Sequence, residues 1–237
     1  MLTDGNKMNV EAVLFDLDGT LIDSIGIYFK IVEIVFEKLK LPRVPREKFA
    51  EATQDGDFDW GCVLPDHLIA RKEELEKKAM DIISDIYPDM FGKDLKLIGG
   101  ADSILRRISS DGMKIGIVTS TPEEGMSYKR QVLKKAGLEK LIEVVITADD
   151  VTHKKPAAEP LVKCSQKIGV APDKSVYVGD TRLDIKAGKA AGMKTIGVLT
   201  GFDDHSALGA EAPDAVIQSV RELPAVITFN CNQNLPA

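Results

Sequence analysis

From about residue 100 onward, strand-like and helix-like segments alternate regularly along the chain. Apolar runs of strand length lie at KIGIVTS, EVVITADD, SVYVGDT and KTIGVLTG, with DAVIQS as one more short strand. Glycines at positions 137, 169 and 192 directly follow three of the intervening helical segments, and glycine is the residue that most often ends a helix. This alternation predicts an α/β fold, a doubly wound parallel sheet with helices on both faces.

A further buried strand is predicted near the start of the chain, in AVLFDLDGTLID. Ala12 to Phe15 are apolar at every position, as in a strand of a parallel sheet that is covered on both faces. Asp16 and Asp18 follow this strand directly, and Asp23 comes shortly after. Two unit charges about 4 Å apart repel each other by roughly 4 kcal/mol at an effective dielectric near 20. We therefore expect a positive charge close to these carboxylates.

The connection after this first strand is much longer than a crossover helix requires. The first strand ends near Asp18 and the next begins near Lys114, whereas a crossover needs only about a dozen residues. Most of the surplus has helical spacing, which predicts a helical domain, residues 23–95, inserted into a core of residues 1–22 and 96–237. We expect the insert over the carboxyl ends of the strands, where open α/β sheets bind ligands.

Composition excludes several classes of function. The net charge of −6 argues against nucleic acid and against an anionic membrane surface as partners. No apolar run approaches the roughly 18 residues of a membrane span, and MLTDGNKMNV lacks the basic and apolar regions of a signal peptide. Cys62, Cys164 and Cys231 are far apart and without CxxC spacing, so neither a disulfide framework nor a zinc site is predicted. A cytoplasmic protein is expected.

Polar side chains follow the predicted strands where each strand ends. They are Asp16 and Asp18, Thr119 and Ser120, Asp149 and Asp150, Asp180 and Asp184, with Lys154 and Lys155 in a nearby loop. Because the carboxyl ends of parallel strands meet at one edge of the sheet, these groups are expected around one crevice. Clustered carboxylates favour a hard cation, and Mg²⁺ bound there would leave room for a phosphoryl oxygen.

The segments DLDGTL, VTS, KKPAAEP and GDTRLD stand in this order at those strand ends. Together they resemble the four motifs of the haloacid dehalogenase superfamily of phosphotransferases, and the resemblance covers nearly the whole chain. The helical insert resembles the cap of the phosphoglycolate phosphatase-like subgroup. The resemblance implies a Rossmann-like core. Dehalogenating members lack an acid two positions after the nucleophile, so Asp18 indicates a phosphate ester as the substrate.

The resemblance also implies roles for individual residues. Asp16 would be the nucleophile that forms an aspartyl-phosphate, and Asp18 would protonate the leaving oxygen and then activate water. Thr119, with the backbone N–H of Ser120, would hold the phosphoryl oxygens, and Lys155 would neutralise charge on the nucleophile and the phosphate.

Two further roles concern the backbone and the metal ion. Gly19 would let the backbone turn closely around the phosphate. Asp16, Asp180 and the carbonyl of Asp18 would bind Mg²⁺, with Asp184 acting directly or through water. This is the combination of positioning and charge stabilisation that phosphoryl transfer requires.

Other polar residues have simpler interpretations. Asp23 and Ser24 are more simply explained as helix caps than as catalytic residues. Asp149 and Asp150 are explained equally well as residues of a turn at the end of a strand or as residues that support the site from behind. His67, His153 and His205 have no metal-ligand spacing, and surface or loop positions are expected for them.

The sequence thus predicts a Mg²⁺-dependent phosphatase, monomer or homodimer, that acts on a small phosphorylated metabolite of the phosphoglycolate or sugar phosphate type. A sugar-phosphate mutase of the same family is the alternative, since it would share all four motifs. A receiver-type signalling domain also places an acidic cluster, a threonine and a lysine around Mg²⁺, but it needs only about half this length and has no inserted cap. A catalytically silent partner protein is the remaining alternative.

Overall fold

A computed structural model describes residues 7–45, 48–49, 52 and 58–229, so Cys231 lies outside the described residues. The strands are β1 Ala12–Phe15, β2 Ile22–Asp23, β3 Lys96–Leu97, β4 Lys114–Val118, β5 Val144–Ile146, β6 Ser175–Gly179, β7 Lys194–Val198 and β8 Ala215–Ile217. The α-helices are α1 Ile25–Lys38, α2 Lys72–Asp94, α3 Ala101–Ser110, α4 Met126–Lys135, α5 Glu159–Ile168, α6 Arg182–Ala190, α7 His205–Ala210 and α8 Leu223–Val226. The chain divides into two compact units, one formed by residues 1–23 and 97–237 and the other by residues 24–96.

A parallel sheet forms the centre of the larger unit. Within the described residues it has six strands in the order β5-β4-β1-β6-β7-β8, and every neighbouring pair is parallel. From β1 the chain builds outward through β4 and β5, and then returns to the other side of β1 to build β6, β7 and β8. The prediction of a doubly wound parallel sheet is therefore confirmed. Open sheets of this kind bind ligands at the carboxyl ends of the strands where the order reverses, which here is at β1.

Burial on both faces explains why β1 reads as an uninterrupted apolar run. All four of its residues are fully buried. Leu14 on one face lies in a cluster with Leu161 and Cys164 of α5, Ala187 of α6 and Tyr177 of β6. A strand covered on both sides has no position for a polar side chain, so the first polar residue, Asp16, comes where the strand ends.

The smaller unit is helical and has an aromatic core. Helices α1 and α2 pack against each other. The ring of Trp60 stacks on Phe36 with centroids 5.6 Å apart and contacts Phe58 edge-on at 5.4 Å. The single tryptophan therefore packs inside this unit. Within the described residues, none of the helices combines the length and the apolar composition needed to cross a membrane.

The second helix of this unit differs from its prediction at both ends. The apolar spacing predicts a helix over about residues 65–87, but a 3₁₀ turn occupies Asp66–Arg71 and α2 then runs to Asp94 with Pro88 inside it. Phe91 is buried and stacks on Tyr87 with centroids 4.1 Å apart. This packing of the last turns compensates for the backbone hydrogen bond that proline removes.

Candidate active site

A buried lysine links two of the predicted acids. Lys155 Nζ donates hydrogen bonds to Asp16 Oδ1 and to Asp184 Oδ1, both at 2.6 Å. Lys155, Asp16 and Asp184 are all buried, whereas the neighbouring Lys154 is exposed. The ion pairs therefore lie away from solvent, where charge interactions are strongest.

The parallel register brings the ends of three strands together. The N–H of Asp16 donates to Val178 O at 2.8 Å, which continues the pairing of β1 with β6 by one residue. On the other side of β1, the N–H of Thr119 donates to Ile146 O at 2.9 Å and continues the pairing of β4 with β5. Asp16, Thr119 and Asp180 thus follow three adjacent strands, as the sequence predicts for residues of one crevice.

Asp180 is held by backbone and hydroxyl groups. Thr20 Oγ1 donates to Asp180 Oδ1 at 3.2 Å, and the N–H of Phe202 donates to Asp180 Oδ2 at 2.8 Å. Two glycines allow this approach: a Cβ at Gly19, where φ is +78°, would lie 2.5 Å from Asp180 Oδ2, and a Cβ at Gly201 would lie 1.7 Å from it. Within the described residues, Asp180 forms no salt bridge.

Asp184 also has a local structural role at the start of α6. Its Oδ2 accepts hydrogen bonds from the N–H of Thr181 at 3.0 Å and from Thr181 Oγ1 at 2.6 Å, which completes a capping box. Its Oδ1 faces Lys155 Nζ and, at 3.1 Å, the hydroxyl of Tyr177. Both carboxylate oxygens of Asp184 thus already have partners within the protein.

The charges of this cluster do not balance. Asp16, Asp180 and Asp184 each offer one carboxylate oxygen within 4.8 Å of the others, and all three residues are buried. Burial raises the pKa of Asp16 to about 7; the Lys155 ammonium acts against this, while the charges of Asp184 and Asp18 add to it. Burial, and then the charges of Asp16 and Asp184, likewise raise the pKa of Asp180 well above its ordinary value.

One ammonium group faces three carboxylates in this cluster. Burial favours the neutral amine of Lys155, but Asp16 and Asp184 outweigh it and raise the pKa of Lys155 well above its usual value. A charged lysine therefore neutralises one of three potential negative charges. The hard oxygen donors, their spacing and this missing positive charge fit a divalent cation.

Asp18 contacts a second group of residues that the four motifs do not contain. Its Oδ2 accepts a hydrogen bond from Thr121 Oγ1 at 3.0 Å and pairs with the ammonium of Lys129, a residue of α4. The Lys129 side chain is completely buried, while that of Asp18 is 17% exposed. The sequence did carry a signal for Lys129, because it shares the helical spacing of the buried residues Met126 and Leu133.

Sequence reasoning also missed two hydroxyl groups. Thr20 binds Asp180, as described above. The buried Tyr177 places its hydroxyl 3.1 Å from Lys155 Nζ and 3.1 Å from Val118 O. A tyrosine between two valines of a fully buried strand is the signal for this second group, since a buried phenol usually needs a hydrogen-bond partner.

Other predicted polar residues lie outside the acidic cluster. Asp150 Oδ2 accepts from the N–H of Thr147 at 2.9 Å in a capping box, and Asp149 Oδ2 accepts from the N–H of Glu123 at 2.8 Å. Both therefore stabilise the turn after β5. Asp23 is exposed in β2, and Ser120 is half-buried beside Thr119. The three histidines, His67, His153 and His205, are exposed.

A parallel sheet whose central strand ends in acids, beside a buried lysine and an acid from the next strand, defines an α/β enzyme core with an acidic site at its carboxyl edge. The chain belongs to the haloacid dehalogenase-like hydrolase family, whose model matches residues 13–198. This match confirms the resemblance that the four motifs indicated, and it separates the chain from a receiver-type signalling module.

Known relatives match this chain over nearly their whole length. The phosphoglycolate phosphatase of Shigella dysenteriae serotype 1 is 28% identical, with 95% of this chain and 96% of the relative covered. A haloacid dehalogenase family hydrolase from Deinococcus radiodurans R1, solved with bound phosphate and sodium, is 25% identical with a TM-score of 0.72, covering 92% of this chain and 94% of the other. A candidate β-phosphoglucomutase from Thermotoga maritima is 25% identical with a TM-score of 0.59, covering 91% and 97%.

Proposed function

We propose that this hydrolase is a Mg²⁺-dependent phosphatase that acts on a small phosphorylated metabolite through an aspartyl-phosphate at Asp16. The family and its phosphoglycolate phosphatase relatives confirm the predicted enzyme class, phosphoric monoester hydrolase. What we propose beyond this class is the metal ion, the covalent intermediate and the substrate. The observation that carries it is the buried cluster in which Asp16 lies between Lys155 and two further carboxylates.

Asp16 and Asp180 are the proposed direct ligands of Mg²⁺, together with the backbone carbonyl of Asp18. Asp184 pairs one oxygen with the Lys155 ammonium and uses the other in the capping box of α6, whereas Asp180 forms no salt bridge within the described residues. This difference favours contact between Asp184 and the ion through water. When bound, Mg²⁺ would neutralise negative charge on the nucleophile and on the phosphoryl oxygens. Thr20, Phe202 and the two close glycines would keep Asp180 in place for this role.

In the first half of the reaction, a carboxylate oxygen of Asp16 attacks phosphorus, and the bond between phosphorus and the leaving oxygen breaks. The electron pair of that bond goes to the leaving oxygen, which takes the proton of the Asp18 carboxyl group. Lys155 holds Asp16 through its hydrogen bond of 2.6 Å and offsets charge as the new ester forms. Thr119, the N–H of Ser120 and the backbone at Gly19 are the proposed contacts of the phosphoryl oxygens.

In the second half, water attacks the phosphorus of the aspartyl-phosphate and gives a proton to the Asp18 carboxylate. The bond between phosphorus and Asp16 breaks, and its electron pair restores the Asp16 carboxylate. Inorganic phosphate leaves, and Asp18 is again protonated for the next turnover. Asp18 is partly exposed whereas Asp16 is buried, which suits a group that exchanges protons with substrate and water.

Residues 24–96 are proposed to form the cap that selects the substrate. The relatives named phosphoglycolate phosphatase make phosphoglycolate the first substrate to test, and sugar phosphates the second. We further propose that the protein acts in the cytoplasm, as a monomer or homodimer, without nucleic acid or membrane partners.

Phosphate release from a panel of phosphorylated metabolites tests the proposal. With Mg²⁺ present, at least one small monoester is expected to be hydrolysed, and a chelator is expected to abolish the reaction until Mg²⁺ is added back. Activity that survives the chelator unchanged would contradict the proposed role of the metal ion.

The same panel separates a phosphatase from a sugar-phosphate mutase. A mutase is the second candidate because the chain is similar to the Thermotoga maritima protein. A mutase would return the phosphoryl group to the sugar, so isomerised sugar phosphate would accumulate faster than inorganic phosphate. A phosphatase is expected to release phosphate in step with substrate loss.

Mg²⁺ is expected to stabilise the fold more at pH 8 than at pH 5. Because burial raises the pKa of Asp16 from 3.8 to about 7, the metal-free fold favours the protonated carboxyl and loses stability as pH rises toward about 7. Mg²⁺ needs the deprotonated form. At a concentration about 100 times its dissociation constant, it contributes roughly 2.7 kcal/mol, or about 5 to 10 °C in Tm.

Thermal denaturation with and without Mg²⁺ at the two pH values measures this effect. The Asp180→Asn variant should lose most of the Mg²⁺-dependent rise in Tm. A rise of equal size at both pH values, or one that persists in that variant, would show that the ion binds elsewhere.

A further inference from the structure

Lys129 is a charged residue in a position that suits an apolar one. Its side chain is completely buried on the face of α4 that also carries the buried residues Met126 and Leu133. Burying an ammonium group is unfavourable unless a partner compensates for the lost hydration. An apolar side chain of similar length would avoid this cost, so a lysine here calls for an explanation beyond packing.

The partners of Lys129 lie at the proposed site of proton transfer. Its ammonium contacts both Asp18 Oδ2 and Thr121 Oγ1, and Thr121 Oγ1 itself donates to Asp18 Oδ2 at 3.0 Å. The N–H of Thr121 donates to Thr119 Oγ1 at 3.1 Å. Two donors on one carboxylate oxygen fix the rotamer of Asp18, and the same loop fixes Thr119 beside it.

We propose that Lys129 is a positioning residue that, with Thr121, holds the Asp18 carboxyl group in the orientation for proton transfer to the leaving oxygen. This inference rests on the function proposed above. Asp18 is 17% exposed and Lys129 not at all, so the acid can meet a substrate while the lysine supports it from the protein interior. No bond to Lys129 forms or breaks: the proton passes from Asp18 to the leaving oxygen, and the ammonium remains charged.

The dependence of the rate on the leaving group distinguishes positioning from simple structural support. An alkyl phosphate such as phosphoglycolate releases a strongly basic oxygen that needs a proton, whereas p-nitrophenyl phosphate releases a weakly basic one. For Lys129→Met, we expect kcat/KM to fall by about 100-fold on the alkyl phosphate and by less than about 5-fold on p-nitrophenyl phosphate. The matched control is Lys134→Met on the exposed face of the same helix, which should change neither value.

A double variant completes the test. In an Asp18→Asn background, adding Lys129→Met should cause no further loss on the alkyl phosphate, because the group that Lys129 positions is already gone. Thr121→Val, which keeps the buried charge, should show a smaller loss with the same leaving-group dependence. If circular dichroism shows that Lys129→Met does not fold, Thr121→Val is used in its place.

Equal losses on both substrates, or independent losses in the double variant, would overturn the positioning role while leaving the proposed phosphatase intact. A wild-type protein that hydrolyses no ester of the metabolite panel with Mg²⁺ would instead overturn the proposed function itself, and this inference with it.

Discussion

An Asp16→Asn variant is expected to lose phosphatase activity by roughly 10,000-fold or more, which is the scale of loss when a covalent nucleophile is removed. The amide cannot form the acyl phosphate, and it removes one of the two proposed side-chain ligands of the ion. Steady-state phosphate release on the best substrate of the panel measures the loss.

The fold should survive this substitution. Burial already raises the pKa of Asp16 to about 7, so the fold disfavours the charged form and tolerates a neutral amide of the same shape. Lys155 keeps Asp184 as a partner. The Tm of the metal-free variant at pH 8 is therefore expected to equal or exceed that of the wild type, which separates a chemical defect from a folding defect.

Asp149→Asn is the matched control, since Asp149 also follows a strand of the sheet but lies outside the acidic cluster. An amide oxygen can still accept the hydrogen bond from Glu123, so activity should remain near that of the wild type. A residual rate of more than about 1% for Asp16→Asn would contradict the role of Asp16 as nucleophile.

The second large effect is expected for Lys155→Met, which should lower both activity and stability. Removing the ammonium leaves Asp16 and Asp184 buried without their cation, a change that costs roughly 3 to 5 kcal/mol. For a chain of this size, this corresponds to a fall of about 10 °C in Tm. The value of kcat should fall by at least about 100 to 1,000-fold, because an aligned donor at the nucleophile is lost.

The loss of stability should depend on pH. Without Lys155, Asp16 favours its protonated form still more strongly, so the difference in Tm from the wild type should be larger at pH 8 than at pH 5. Lys154→Met is the control, since Lys154 directly precedes Lys155 in the chain but is exposed. Wild-type Tm and activity for Lys155→Met at pH 8 would show that the two buried ion pairs contribute neither stability nor catalysis.

Much of this arrangement follows from local sequence patterns. Asp16, Thr119 and Asp180 could be assigned to one crevice because each follows an apolar run, and parallel strands bring their carboxyl ends to one edge. The fold and the family predicted in this way are confirmed, and the individual catalytic roles stay predictions. Lys155 could be preferred over Lys154 only through the resemblance, since nothing in the local pattern tells which of two adjacent lysines is buried.

The remaining features depend on packing between distant segments. Asp18 and Lys129 are separated by 111 positions, and their contact arises only when α4 packs beside the end of β1. Thr20 meets Asp180 across 160 positions for the same reason. The continuation of α2 past Pro88 likewise depends on the packing of Phe91, which no local propensity reveals.

Identification of the phosphorylated residue is the most direct test of the account. Asp18→Asn is expected to slow hydrolysis of the proposed intermediate, so this variant can be mixed with Mg²⁺ and p-nitrophenyl phosphate, quenched with acid and mapped by peptide mass spectrometry. One phosphoryl group is expected on Asp16, removed by hydroxylamine and absent from the Asp16→Asn, Asp18→Asn double variant. A phosphoryl group on any other residue, or phosphate release from wild-type protein with no phosphorylated Asp16 at any quench time, would contradict it.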